Sequence, residues 1–282
     1  MKLLYCIVNY RTDQPLLRYI ESLRIAFEQA SDIALRLVVV DNSLRPLEGR
    51  ERFTAELAER FAEIQVVFTD QNVGYFGAVP IAQGLAAATG PDCIVISNAD
   101  LTVADDFLAT LADQLPTGAA VLAPTIAADQ GAGFDQNPKL LERYTHSRMR
   151  FLQLVYSTSI SFRLYNWLGW LKEKTRSPSS RRHQHCPRDI YAPHGAIFIF
   201  SKLSFFLALP RHEPFLYGEE IFIAEEARRR AERIAYVPCL KTFDTRHAST
   251  GALSTESRRK LMKASVDFIL ARYYAETTAS SR

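Results

Sequence analysis

Two adjacent acids, Glu219 and Glu220, follow Phe215-Leu216-Tyr217-Gly218 and open a helical stretch. A carboxylate there can take a proton from an attacking hydroxyl, and it can equally complement the positive end of the helix dipole. Another acid, Asp100, closes Ser97-Asn98-Ala99-Asp100 after an apolar run. It can hold Mg2+ or Mn2+ through one bond, a diphosphate and water completing the shell. Asp100 or Asn98 can also cap the helix that follows. His247 can offer a neutral imidazole to the same ion, although an isolated histidine is often structural. Asp41 ends a further apolar run, where it can accept from a ribose or base, or close an Asx turn with Asn42 and Ser43. Asn72-Val73-Gly74-Tyr75, with Gly77 beyond it, precedes a helix and can bring backbone N–H groups against phosphates.

These residues need a frame, and the first 126 residues supply a regular one. Apolar runs at 3–10, 35–43, 64–70, 92–100 and 119–126 read as strands. Helical patterns lie between them: Leu16, Leu17, Ile20, Leu23 and Phe27 on one stripe, then 51–64, 77–88 and a helix from about Asp105. Continuous Val/Ile runs indicate strands covered on both faces, and strand–helix alternation indicates a mostly parallel sheet. In such sheets ligands bind beyond the carboxyl ends of the strands. Asn9, Asp41, Asn72 with Gly74, and Asp100 all stand there. The rhythm breaks from 130 to 189, where 151–171 reads as one or two amphipathic helices and 174–185 as a basic loop. A strand at 191–201, a helix at 219–233, a strand at 234–239 and a terminal helix at 254–274 complete the pattern.

Composition narrows the function. A net charge of +3 on 282 residues gives no case for nucleic-acid binding. Residues 139–188 nevertheless hold 11 Lys+Arg against 2 Asp+Glu, a local balance of +9, which leaves −6 for the remainder. A basic insert in a slightly acidic body suits an anionic partner, such as a phospholipid surface, a diphosphate-linked acceptor or a polyanionic glycan; it also suits a solvated helical face. The four cysteines form no CxxC pair, and Cys6 and Cys93 sit in apolar runs, as in a reduced cytoplasmic protein. MKLLYCIVNYRTD turns polar too early for a signal peptide, and no run is long and apolar enough to span a bilayer. No G-x-G-x-x-G follows the first strand and no P-loop is present. Asn9-Tyr10-Arg11-Thr12-Asp13 also lacks the glycines of a nucleotidyltransferase.

In order and spacing, these elements resemble family 2 glycosyltransferases of GT-A fold, most closely a bacterial rhamnosyltransferase-like branch. The residues that carry the resemblance are Ile7-Val8-Asn9-Tyr10, Val39 to Ser43, Asn72 to Tyr75, Ser97 to Asp100, Gly195-Ala196, Tyr217 to Glu220, and His247. The resemblance implies an α/β fold: a GT-A Rossmann-like, mostly parallel sheet with helices on both faces, plus a helical basic insert. One continuous domain would divide into a nucleotide-sugar-binding half (1–126), the insert (127–190) and an acceptor and catalytic half (191–282). Asn9, Tyr10, Asp41, Asn72 and Gly74 would hold the nucleoside. Asp100 would be the metal and diphosphate ligand, with Asn98 in place of the first acid of a D-x-D element, and His247 would approach the metal. Gly195 would flank the acceptor, and Glu220 would be the base, a Glu where the family pattern has Asp, with Glu219 as its alternative.

The implied activity is inverting, Mg2+- or Mn2+-dependent transfer of a hexosyl or rhamnosyl group. The donor is a dTDP-, UDP- or GDP-linked sugar, and the acceptor is a glycan or lipid-diphosphate-linked molecule of bacterial surface polysaccharide. The implied location is the cytoplasm, peripheral on the inner face of the membrane through residues 139–188. A degenerate homologue that only binds nucleotide sugar or glycan is the alternative.

Overall fold

The computed structural model describes residues 1–30, 32–128, 135–174, 186–244 and 253–275. Among these residues nine strands form a single sheet in the order β3-β2-β1-β4-β8-β6-β9-β5, with β7 on β9. The strands are β1 (Lys2–Asn9), β2 (Ala34–Asp41), β3 (Gln65–Phe68), β4 (Cys93–Asn98), β5 (Leu101–Val103), β6 (Val121–Ala128), β7 (Arg188–Asp189), β8 (Ile197–Phe200) and β9 (Ile234–Asp244). The pairs β2–β3, β1–β2, β1–β4 and β6–β9 are parallel; β8 enters antiparallel between β4 and β6. The chain therefore has the mixed α/β architecture expected from the sequence, with its N-terminal strands parallel throughout.

Strand alternation sorts side chains into two cores. Leu4, Cys6 and Val8 of β1 join one apolar cluster, while Leu3, Tyr5 and Ile7 join the other. Helices α1 (Asp13–Glu28), α2 (Leu47–Ala58) and α4 (Phe107–Gln114) cover the second face through Leu16, Ile20, Phe53, Leu57, Phe107 and Leu111. Helices α3 (Val79–Thr89), α7 (Leu203–Leu207), α8 (Glu219–Arg229) and α9 (Thr255–Ile269) cover the first through residues such as Val79, Phe206, Phe222 and Ile269. Coverage on both faces explains why the parallel strands read as unbroken apolar runs. Gly90 takes a left-handed φ of 57° and stops α3.

The insert contributes α5 (His146–Val155) and α6 (Ser159–Lys174). Thr145 caps α5 by accepting from the Arg148 N–H at 3.2 Å. The insert is tied to α8 by a buried charge. Glu225 has a side chain 0% exposed and accepts from Arg143 Nε at 2.5 Å, Arg228 Nε at 2.9 Å and the Tyr191 hydroxyl at 2.6 Å. Burial works against its ionised form, but the hydrogen bonds from Arg143, Tyr191 and Arg228 outweigh it and hold the carboxyl below its ordinary value.

Removing Arg143 takes one of two cations from the buried Glu225 carboxylate, which keeps Arg228 and the Tyr191 hydroxyl. Arg143→Met is therefore expected to cost about 2 kcal/mol in urea unfolding at neutral pH. The stabilisation at Glu225 is present above the unfolded value of 4.5 and lost as pH falls below it, so the gap between variant and wild type should narrow in acid.

Candidate active site

Strand register gathers the polar ends. Asn9 lies opposite Asp41 on β2, and Val8 lies opposite Asn98 on β4. A cleft of about 210 Å3 opens beyond this edge, lined by Tyr10, Thr12, Asn42, Asn72, Gly74, Asn98 and Asp100, with Phe215, Leu216 and Leu253 opposite. Of the residues singled out in the sequence, Tyr10, Asn72, Gly74, Asn98 and Asp100 thus share one cavity.

Asn9 and Asp41 lie beneath that surface, and both are buried. The Asn9 amide donates to Asp41 at 2.7 Å and Asp13 at 3.1 Å, and its oxygen accepts from the Thr12 hydroxyl at 2.8 Å. Asp41 also accepts from the Ser43 hydroxyl at 2.7 Å and Arg45 Nε at 2.9 Å. Arg45 stacks 3.8 Å from the Phe53 ring centroid, so this network is anchored in the core. It fixes the turn that presents Tyr10 and Thr12. Asn42 extends it, donating to the Gly74 carbonyl at 3.1 Å and accepting from the Thr69 hydroxyl at 2.9 Å.

Gly74 meets a stringent requirement. Its φ is +76°, and a Cβ there would fall 2.2 Å from the Phe215 carbonyl oxygen. Only glycine allows the loop after β3 to press against the segment leading into α8. The Asn72 side chain holds the loop by accepting from the Gly74 N–H at 2.9 Å.

That segment enters α8 through two consecutive left-handed residues, Tyr217 at φ +72° and Gly218 at φ +83°. Such backbone persists only where its surroundings enforce it. A Cβ on Gly218 would fall 1.9 Å from Ser265 Oγ of α9. The turn sends the two acids different ways. Glu219 is buried and accepts from the Tyr217 N–H at 3.1 Å. Burial first, and the neighbouring Glu220 charge second, push its carboxyl up to about 8.

Glu220 is partly exposed, with Lys139 Nζ 3.9 Å from its Oε1. A Cβ on Gly195 would lie 3.2 Å from that same oxygen. The next residue, Ala196, accepts from the Asn98 N–H at 2.9 Å. Glu220 therefore rests on the backbone that borders the Asn98 end of the cleft.

His194 and Phe215 belong to this region but did not stand out as site residues in the sequence. His194 is half-buried; burial, then the Lys139 charge, drive its imidazole down to about 4, so it is neutral at pH 7. Its Nδ1 accepts from the Ala196 N–H at 3.2 Å, and the His194 backbone N–H donates to Asn137 Oδ1 at 2.7 Å. The signal available was a histidine placed directly before Gly195 and an apolar strand.

For a divalent cation the described donors are sparse: Asp100 with the neighbouring Asn98 amide. No group of three or more His, Cys, Asp or Glu side chains suited to a metal occurs among the described residues. A single carboxylate suits a hard cation whose other ligands are phosphates and water. His247 lies outside the described residues. The pairing of Leu101 with Asp244 brings the chain that leads towards it beside Asp100.

The glycosyl transferase family 2 model matches residues 5–175. The chain belongs to that family. No curated protein matches the sequence. Among solved structures, GalNAc-T7 with UDP, GalNAc and Mn2+ superposes at a TM-score of 0.58 and 14% identity, covering 98% of this chain and 52% of that one. Residues 1–349 of S. aureus TarS in complex with UDP-GlcNAc superpose at 0.53 and 12% identity, covering 98% of this chain and 74% of that one. The same TarS fragment with UDP gives 0.51 and 15%, covering 100% and 73%. This chain spans about half the length of GalNAc-T7. At these identities the likeness shows the shared fold.

Two expectations follow for a family 2 site built this way. The folded state keeps a proton on Glu219 that the unfolded chain releases between pH 4.5 and about 8, so stability should fall as pH rises across that window. Glu219→Gln should flatten the decline in urea titrations run at its two ends. Gly195→Ala places a methyl 3.2 Å from Glu220 Oε1 and should displace that carboxylate. For a Glu220 that takes part in the transfer, turnover should drop roughly tenfold or more with little change in melting temperature, since misplacing a reacting group is expensive in rate.

Proposed function

We propose that the chain transfers a sugar from a nucleoside-diphosphate sugar to a hydroxyl of a glycan or lipid-linked acceptor, with inversion. The observation that carries this reading is convergence. The cleft at the parallel strand ends and the Glu220 carboxylate meet at one short backbone segment, Gly195-Ala196, which bonds Asn98 on one side and carries Glu220 on the other. The division of labour follows as part of the proposal: residues 1–126 hold the donor, 191–282 supply the base and acceptor side, and 127–190 form the insert.

In this reading Tyr10, Asn72 and Gly74 border the nucleoside, and Asn9 and Asp41 hold their turn from below. Asp100 and Asn98, with His247, would hold Mg2+ or Mn2+ against the diphosphate. The bound cation offsets the charge of the leaving diphosphate. UDP in the GalNAc-T7 and TarS structures, and Mn2+ in the former, support that choice of ligands.

Glu220 takes the proton of the acceptor hydroxyl. The freed oxygen forms its bond to the anomeric carbon as the bond to the diphosphate breaks on the opposite side. Glu220 suits this role better than Glu219, which is buried and holds its own proton at neutral pH. Hexosyl or rhamnosyl transfer into surface polysaccharide extends the proposal to pathway. Free thiols at all four cysteines, Cys6 and Cys93 buried among them, favour the cytoplasm as the compartment.

The deciding experiment is a thermal-shift screen of UDP-, dTDP- and GDP-sugars with and without Mn2+, followed by transfer assays. One donor class should stabilise the protein by about 2.7 kcal/mol at a hundredfold excess over its Kd, and more strongly with Mn2+. Glu220→Gln should keep that shift while losing about 10²- to 10⁴-fold in transfer. Tight donor binding with no turnover in the wild type would instead identify a binding-only homologue.

A further inference from the structure

Among the described residues twelve large apolar side chains are exposed, and seven of them lie on α5 and α6. On α6 these are Ile160, Leu164, Trp167, Leu168 and Trp170, exposed by 51–82%. At 100° per residue they fall within an arc of roughly 160°. The opposite side of α6 is anchored by Phe162, which is buried with its ring 5.7 Å from that of Tyr156, and the helix start is tied down where Ser159 donates to Glu256 of α9 at 2.7 Å. The helix therefore has an orientation of its own, with the tryptophans outward.

Such a face needs an occupant, and charge selects it. Arg150 and Arg163 are exposed on the same two helices, and the surrounding segment 139–188 carries +9. A second copy docked about a two-fold axis would bring two positive patches together, which is repulsive. A surface of anionic headgroups neutralises them instead. Tryptophan favours the boundary between headgroups and acyl chains, where its apolar ring and polar N–H are both satisfied. No helix among the described residues is long and apolar enough to cross a membrane. A 16-residue helix with an exposed apolar arc that also carries Arg163 lies along a bilayer, the arginine reaching up to the headgroups.

We propose that α6 is an interfacial docking helix that seats its Trp167/Trp170 face at the headgroup level of an anionic phospholipid bilayer. This does not depend on the sugar-transfer reading. The chain supplies its own probe, because it has two tryptophans and both are on α6. Tryptophan emission of the intact native protein therefore reports this helix alone.

The test mixes the full chain with phosphatidylcholine vesicles, with and without phosphatidylglycerol. Emission should move to shorter wavelength with the anionic vesicles, be quenched by lipids brominated on their acyl chains, and weaken as salt rises. Leu164→Ser with Leu168→Ser keeps both tryptophans and should lower the partition about tenfold or more. Arg150→Glu with Arg163→Glu should remove the preference for anionic lipid. Unchanged wild-type emission with anionic vesicles, or equal binding to both vesicle types, would overturn the proposal. So would emission already at short wavelength without vesicles that tracks a dimer in ultracentrifugation, since a second copy would then cover the face.

Discussion

The close approach of Gly74 to the Phe215 carbonyl is the constraint on which the site depends. The loop that carries Gly74 follows β3 of the parallel half of the sheet, and Phe215 belongs to the turn that launches α8. No side chain fits between them. The two halves therefore meet backbone to backbone, and the cleft has one wall from each. Tyr75 reinforces the junction by donating its hydroxyl to the Ile96 carbonyl at 2.9 Å. A rigid junction of this kind holds reacting groups without leaving the positioning to mobile loops.

Electrostatics refine what the backbone places. Glu219 and Glu220 are neighbours with the same side chain, yet their environments separate them. One is enclosed and keeps its proton, while the other rests on Gly195 within reach of Lys139. His194 adds a neutral, half-buried imidazole beside the same segment, its Nδ1 accepting from the Ala196 N–H in the turn that leads into β8.

Much of this was legible in the residues, and the exceptions have physical causes. The buried strands were readable because coverage on both faces leaves long apolar runs with nothing to interrupt them. β5 was not, because three residues directly after Asn98-Ala99-Asp100 look like the approach to a helix. β9 runs on to Asp244, past Pro238 and the exposed Cys239; the register shift opposite Pro124 and Thr125 absorbs the irregularity. The helix expected from Glu51 begins at Leu47, and α7 hides in an apolar pentapeptide too short to show a period. The strand-end residues that line the cleft could be picked out from the alternation alone. Their depth could not: Asn9 and Asp41 look like binding groups in sequence, and burial makes them the supports of the surface above.

The position of β8 has a consequence for how the chain can be divided. The family match ends at residue 175, yet β4 takes its neighbour from residues 197–200. β6 comes earlier in sequence but lies beyond β8. A ribosome that has delivered every residue of the matched region has still left β4 with an open flank. Exposed strand edges recruit other strands, so the half-made protein carries an open edge on β4 until Ile197–Phe200 emerge, and edges on β6 and β5 until β9 follows. Sequence kinship and physical completeness thus have different boundaries in this molecule.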